Sequence, residues 1–165
     1  MTQRDEGIEK TLLRAIASDR KCLVPYITGG FDGYLEAISA AAEAGADAIE
    51  IGIPFSDPVM DGPTIQKAND LVLSAGVTPA QIIDEVASLD VDVPLAVMTY
   101  YNVVYRFGLQ RLASNLKEAR ISGVILPDLP LVEAGSWQEA STSAEREAIL
   151  LAAPTTTETH LKRIC

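Results

Sequence analysis

The sequence predicts an α/β fold built on a parallel sheet with helices packed outside it. Three observations carry that reading. Five short apolar runs alternate with stretches of helical periodicity, and none of them alternates apolar with polar residues as a strand with one wet face would. Gly-x-Gly-x-x-Gly and the Walker phosphate loop are both absent, which argues against a nucleotide-binding sheet. The 165 residues hold about five βα units at the roughly 31 residues per unit of a (β/α)8 barrel. A doubly wound sheet and a (β/α)8 TIM barrel both begin this way, and the unit count fits an incomplete barrel.

Ile8, Leu12, Leu13 and Ile16 recur at helical spacing, so residues 8–18 predict an amphipathic helix covering one end of the core. A first strand over 22–27 stops at Thr28-Gly29-Gly30. A helix over 33–44 follows, with Leu35, Ile38 and Ala42 on one face and Gly45 at its cap. The second strand covers 46–53. Two helices separate it from the third strand, 93–98. One runs over 63–74 and ends at Gly76; the other starts at Thr78-Pro79 and turns Ile82, Ile83, Val86 and Leu89 inward. A helix over 108–119 with Leu109, Leu112 and Leu116 leads to a fourth strand, 123–126, which breaks at Pro127-Asp128-Leu129-Pro130. A helix over 132–144 carrying Val132 and Trp137, a fifth strand over 148–152 and a helix from Glu158 complete the pattern. Residues 1–165 read as a single domain.

Apolar residues are 48% and charged residues 22% of the chain, the mix of an ordinary soluble globular protein. A net charge of −10 disfavours nucleic acid or an anionic membrane as partner, so an anionic substrate must be held by backbone amides or a few placed cations. Cys22 and Cys165 have neither metal-ligand spacing nor a disulfide framework, which fits a reducing compartment. Arg4, Asp5, Glu6, Glu9 and Lys10 open the chain with no apolar run behind them. Neither a signal peptide nor a membrane span is expected, and the expected location is the cytoplasm.

The second strand carries the chemistry. Glu50 interrupts an otherwise apolar run, and a carboxylate there has lost water, which raises its pKa unless a partner holds it ionised. Such a group gives and takes a proton near neutral pH. Asp61 follows two prolines and a Ser-Asp turn, on a loop leaving the carboxyl end of that strand, the side on which parallel α/β folds keep their active-site loops. One acid on a rigid strand and one on a loop is an arrangement that divides acid and base roles. The competing reading makes Glu50 a satisfied buried acid and Asp61 the N-cap of the helix that Pro63 opens.

The run Ile49 to Thr64, IEIGIPFSDPVMDGPT, closely resembles the signature of the tryptophan synthase alpha chain family. Val24-Pro25-Tyr26-Ile27-Thr28, Met98-Thr99-Tyr100-Tyr101-Asn102 and Pro127-Asp128-Leu129-Pro130 resemble the same family in the same order, and the resemblance runs from residue 8 onward. It implies a (β/α)8 barrel and a lyase of tryptophan biosynthesis that cleaves indole-3-glycerol phosphate to indole and glyceraldehyde 3-phosphate, with no metal and no cofactor in this chain. By that resemblance Glu50 is the acid/base serving ring carbon 3 and the side-chain hydroxyl, and Asp61 is the carboxylate facing the ring N–H. Tyr26, Ile65, Met98, Tyr100 and Ile125 match positions that line the indole pocket. Asp57, Pro58 and Asn102 match positions facing a beta chain, the partner expected in an alpha2beta2 heterotetramer and the carrier of pyridoxal phosphate. Without the resemblance, the apolar residues among these fill the barrel, Asp57-Pro58 is a turn, and His160 is a surface residue.

Met60 and Gly30-Phe31-Asp32 depart from the family's commoner residues, and the bulk of Met60 bears on how the Asp61 loop closes. The larger departure is length. The resemblance implies eight strands, with the substrate phosphate held by segments after the sixth, seventh and eighth, a placement that matches the general barrel phosphate site; the last three units are missing. The expectation is that the chain alone exposes the edges of its first and fifth strands, is poorly soluble or self-associates and has little or no lyase activity. The alternative is a non-catalytic module that docks on a beta chain and changes its activity. A barrel of the ribulose-phosphate epimerase type is disfavoured because the metal-ligand histidines are missing from the strand ends.

Overall fold

The structure is a computed structural model that describes residues 3–164; Cys165 lies outside the described residues. Its strands are β1 (Tyr26–Thr28), β2 (Ile49–Gly52), β3 (Leu95–Met98), β4 (Gly123–Ile125) and β5 (Glu147–Ile149). All pair in parallel, in chain order from β1 to β5. That order decides between the two parallel architectures, because a doubly wound sheet reverses direction at a switch point whereas a barrel adds each strand beside the last. β1 and β5 each have one paired edge and one open edge.

Around the sheet run α1 (Gln3–Glu6), α2 (Ile8–Ala17), α3 (Tyr34–Glu43), α4 (Pro63–Ser74), α5 (Pro79–Ala87), α6 (Tyr101–Phe107), α7 (Leu109–Glu118), α8 (Gly135–Ser143) and α9 (Glu158–Ile164). The side chains sort into two faces, as the strand period of two requires. Ile49, Ile51, Leu95, Val97 and Val124 point outward and are buried under Ile38, Ile82, Ile83, Val86, Leu112, Leu116 and Trp137 of the helices. Each such side chain contributes roughly 1.5–3 kcal/mol by leaving water. The inward face is smaller. Ala48 and Ala96 form a second cluster with Ile8 of α2, joined by Leu12, Ile125 and Ile149, so the first long helix plugs the interior.

Two polar devices hold that plug. The Glu147 carboxylate on β5 accepts the amides of Ile8 at 2.9 Å and Glu9 at 3.1 Å, placing a negative charge on the N-terminus of α2. Gly7 precedes it at φ 87°, and a Cβ there would lie 2.7 Å from the Glu147 Oε1 atom. Arg4, 1% exposed, donates to the carbonyls of Val86, Ala119 and Arg120 at 3.2, 3.0 and 3.2 Å, and to that of Leu89. One guanidinium therefore satisfies the carboxyl ends of both α5 and α7.

Several boundaries differ from the sequence expectation for identifiable reasons. β1 begins at Tyr26 and β3 at Leu95, just past Pro25 and Pro94, which have no N–H for the ladder. β5 ends at Ile149, before the half-exposed Leu151. Leu13 and Ile16 are 57% and 63% exposed, because α2 turns Ile8, Thr11 and Ala15 inward instead. The expected helix over 132–144 is a 3₁₀ turn, Leu131–Glu133, followed by α8; Val132 is exposed and Trp137 is buried. α6 is an addition, in a stretch to which the sequence reading assigns no element.

Buried Asp47 anchors the entry to β2, accepting the Leu23 amide at 2.9 Å and a bond from Arg20. The Arg20 guanidinium, and then the Leu23 amide, hold its carboxyl below the usual range. Its contribution to stability is thus present above about pH 4, the unfolded value, and is lost as pH falls through the lower folded value. Asp47→Asn is expected to flatten that acid limb in a urea titration, at a cost of about 1 kcal/mol or less at neutral pH because Arg20 is 57% exposed. An unchanged acid limb would refute the assignment.

Candidate active site

Strand register places Tyr26, Glu50, Met98 and Ile125 on two interior levels. Tyr26, Glu50, Ala96, Gly123 and Glu147 are cross-strand partners, and one step nearer the carboxyl ends Thr28, Gly52, Met98, Ile125 and Ile149 form the next level. Ala96 and Gly123 contribute almost no side chain beside Glu50, so the bulky neighbours of its level are Tyr26 and Glu147. Glu50 is half-buried, and burial alone pushes its carboxyl up. Loss of water without a compensating cation is the condition for an acid that exchanges protons near neutral pH.

Asp61 is held differently. Tyr100, 3% exposed at the end of β3, donates its hydroxyl to Asp61 Oδ1 at 2.9 Å. Asn69 on α4 donates Nδ2 to Asp61 Oδ2 at 3.1 Å, and Gln66 donates to the Asp61 carbonyl at 2.7 Å. The N-cap of α4 is Gly62, with no side-chain capping bond; Asp61 therefore does not do the helix-capping job that the competing reading assigned it. Met60 donates its amide to the Tyr100 hydroxyl at 2.9 Å while its side chain stays exposed. Burial, first, and the bond to Asp61 raise the Tyr100 phenol, so it stays a donor. Phe55 packs on its ring, centroids 5.2 Å apart.

Of the expected pocket residues, Tyr26, Met98 and Ile125 lie on the interior levels and Tyr100 joins them through Asp61. Ile65 sits on the first turn of α4, outside both levels. Asp57 and Asn102 line one cleft of about 770 Å³ with Phe55, Arg106, Phe107 and Arg111; Pro58 is not among its walls. Asp128 caps α6 from the next loop, accepting the Tyr101 amide at 2.9 and 3.1 Å. His160 is exposed. Among the described residues no group of three or more His, Cys, Asp or Glu is placed to hold a metal ion, and no helix is long and apolar enough to cross a membrane. Sequence reasoning missed Asn69 and Gln66. The spacing Asp61–Gln66–Asn69, which returns a first-turn helix face to the preceding loop, was the available signal.

The family model of the tryptophan synthase alpha chain matches residues 12–165. The chain belongs to that family. The tryptophan synthase alpha chain of Methanosarcina mazei is 43% identical over 145 residues, which are 86% of this chain and 54% of that protein. The Streptomyces avermitilis alpha chain is 39% identical over 167 residues, 98% of this chain and 60% of its own. Among solved structures, the tryptophan synthase alpha subunit of Legionella pneumophila superposes with a TM-score of 0.88 at 33% identity, covering 99% of this chain and 63% of that one. Mycobacterium tuberculosis tryptophan synthase in its aminoacrylate- and BRD0059-bound form gives 0.88 at 34%, covering 95% and 65%. The five-stranded sheet is thus part of a TIM barrel, and the chain spans little more than half the length of these curated alpha chains.

Proposed function

We propose that this chain supplies the acid pair of the tryptophan synthase alpha reaction, with Glu50 as acid/base and Asp61 as the carboxylate for the indole N–H. The observation that carries the reading is the contrast between them: a half-buried Glu50 raised by lost solvation and an Asp61 clasped by Tyr100 and Asn69. Breaking the bond between ring and side chain requires a proton on ring carbon 3, which Glu50 gives. Positive charge then spreads to the ring nitrogen, opposite the fixed Asp61 charge. The Glu50 carboxylate takes the side-chain hydroxyl proton as the aldehyde forms, which restores the acid. Tyr26, Met98, Tyr100 and Ile125 form the ring pocket, with Ile65 at its rim. Pyridoxal phosphate belongs to the beta chain, the partner in the alpha2beta2 assembly, and the location is the cytoplasm.

Residues 1–165 act as one domain, and the phosphate of the substrate is held outside it. The chain alone, assayed for indole release, is therefore expected to show little or no turnover. Indole itself is expected to shift the NMR signals of Met98, Tyr100 and Ile125 but not of exposed His160; unshifted signals at saturating indole would overturn the pocket.

A second reading rests on the cleft between Asp57 and Asn102, where Arg106 and Arg111 face solvent. On it the chain docks on a beta chain without chemistry of its own. Titration into a beta chain while serine turnover is followed, beside indole release in an assembly that completes the barrel, separates the readings: a change in serine turnover with indole release that Glu50→Gln leaves undiminished supports docking alone.

A further inference from the structure

Tyr26 and Gly52 form a pair that the acid assignment leaves unused. Gly52 follows Glu50 by two residues on the same inward face, and Tyr26 is the β1 partner of Glu50. A Cβ built on Gly52 would lie 1.9 Å from the Tyr26 hydroxyl and 2.5 Å from its ring carbon, so the phenol occupies the space that any other residue 52 would fill. Its hydroxyl thereby stands one level above Glu50, on the side from which the Asp61 loop leaves.

The titratable groups that act on this phenol are Asp61 from the loop, Glu50 from β2 and Tyr100 from the N-cap of α6, and the Thr28 side chain hydrogen-bonds it. Two of the three are already engaged. Asp61 accepts from Tyr100 and Asn69, and Tyr100 donates to Asp61 and accepts from Met60. Glu50 accepts no side-chain hydrogen bond among the described residues. We propose that Tyr26 is a positioning residue for Glu50, its hydroxyl seated over Gly52 and donating a hydrogen bond to the Glu50 carboxylate once that acid has given up its proton. This rests on the reading of Glu50 as the acid/base. No proton leaves the phenol: Glu50 passes its proton to the ring carbon, the carboxylate is held by the Tyr26 O–H, and the carboxylate then takes the proton of the side-chain hydroxyl. Burial, first, and the neighbouring acids push the phenol up, so it remains a donor throughout.

The test is a carboxyl carbon NMR titration of Glu50 in the 165-residue chain. Tyr26→Phe keeps the ring and deletes the donor, and is expected to raise the Glu50 midpoint by about one pH unit. Gly52→Ala, which takes the hydroxyl's seat, is expected to raise it in the same direction, with no further rise in the Tyr26→Phe background. An unmoved or lowered Glu50 midpoint in Tyr26→Phe overturns the proposal, as does an equal effect of Gly52→Ala when the hydroxyl is already gone. The titration needs no turnover. A raised midpoint beside undiminished indole release by Glu50→Gln in an assembly that completes the barrel would leave the hydrogen bond standing and sink the acid/base role instead.

Discussion

Replacing Glu50 with glutamine is expected to lower indole release by about 10²–10⁴-fold in an assembly that completes the barrel, the usual worth of a positioned proton donor, and to make the fold more stable. The two effects have one origin. Burial keeps the folded Glu50 carboxyl above its ordinary value, so between the unfolded value near pH 4.3 and that raised value the folded chain binds more protons than the unfolded one. Stability therefore falls as pH rises through this window and stays lower above it. Glutamine is isosteric and uncharged, and removes the loss. Urea midpoints for the variant should exceed those of the parent at pH 7 and converge with them near pH 4. A variant that is less stable at pH 7 would mean that a partner stronger than the Tyr26 hydroxyl holds the Glu50 carboxylate ionised and that it is a structural acid; undiminished release would mean that it is not the acid.

Replacing Arg4 with alanine is expected to cost roughly 3–5 kcal/mol of unfolding free energy, since several buried carbonyls lose their donor together and each orphaned group costs about 1–3 kcal/mol. The carbonyls of Val86, Leu89, Ala119 and Arg120 converge on one guanidinium, whose fork of N–H groups can reach all of them at once. Lysine offers three donors on a single nitrogen and should recover less than half of the loss. Chemical denaturation of Arg4→Ala and Arg4→Lys checks both statements. A loss below about 1 kcal/mol for alanine would show that water reaches the helix ends and replaces the side chain.

The strands and most helices were legible because each is written locally, in apolar runs, prolines and caps. Thr78 caps the start of α5 where the sequence placed it, in a capping box with Gln81, and Ile82, Ile83 and Val86 are buried as their spacing required. What stayed hidden was set by residues far apart in sequence. α6 is spelled Tyr-Asn-Val-Val-Tyr-Arg-Phe, rich in strand-favouring side chains, and its first turn depends on Asp128 from another loop. Arg4 sits in a charged stretch that composition marks as solvated, yet its partners lie 82 to 116 positions away. The acids were legible as a motif. The clasp on Asp61 was not, because Tyr100 reads equally well as a ring wall, and only its hydroxyl direction separates the two uses.

The bond from Glu147 to the start of α2 spans 139 positions and orders events during synthesis. As the nascent chain leaves the ribosome, α2 carries Glu9 in its first turn but lacks the distant carboxylate that accepts its opening amides until β5 has emerged. Early segments can collapse, yet the plug locks only when the first and fifth units meet, so a ribosome stalled before Glu147 would present a frayed opening helix to proteases.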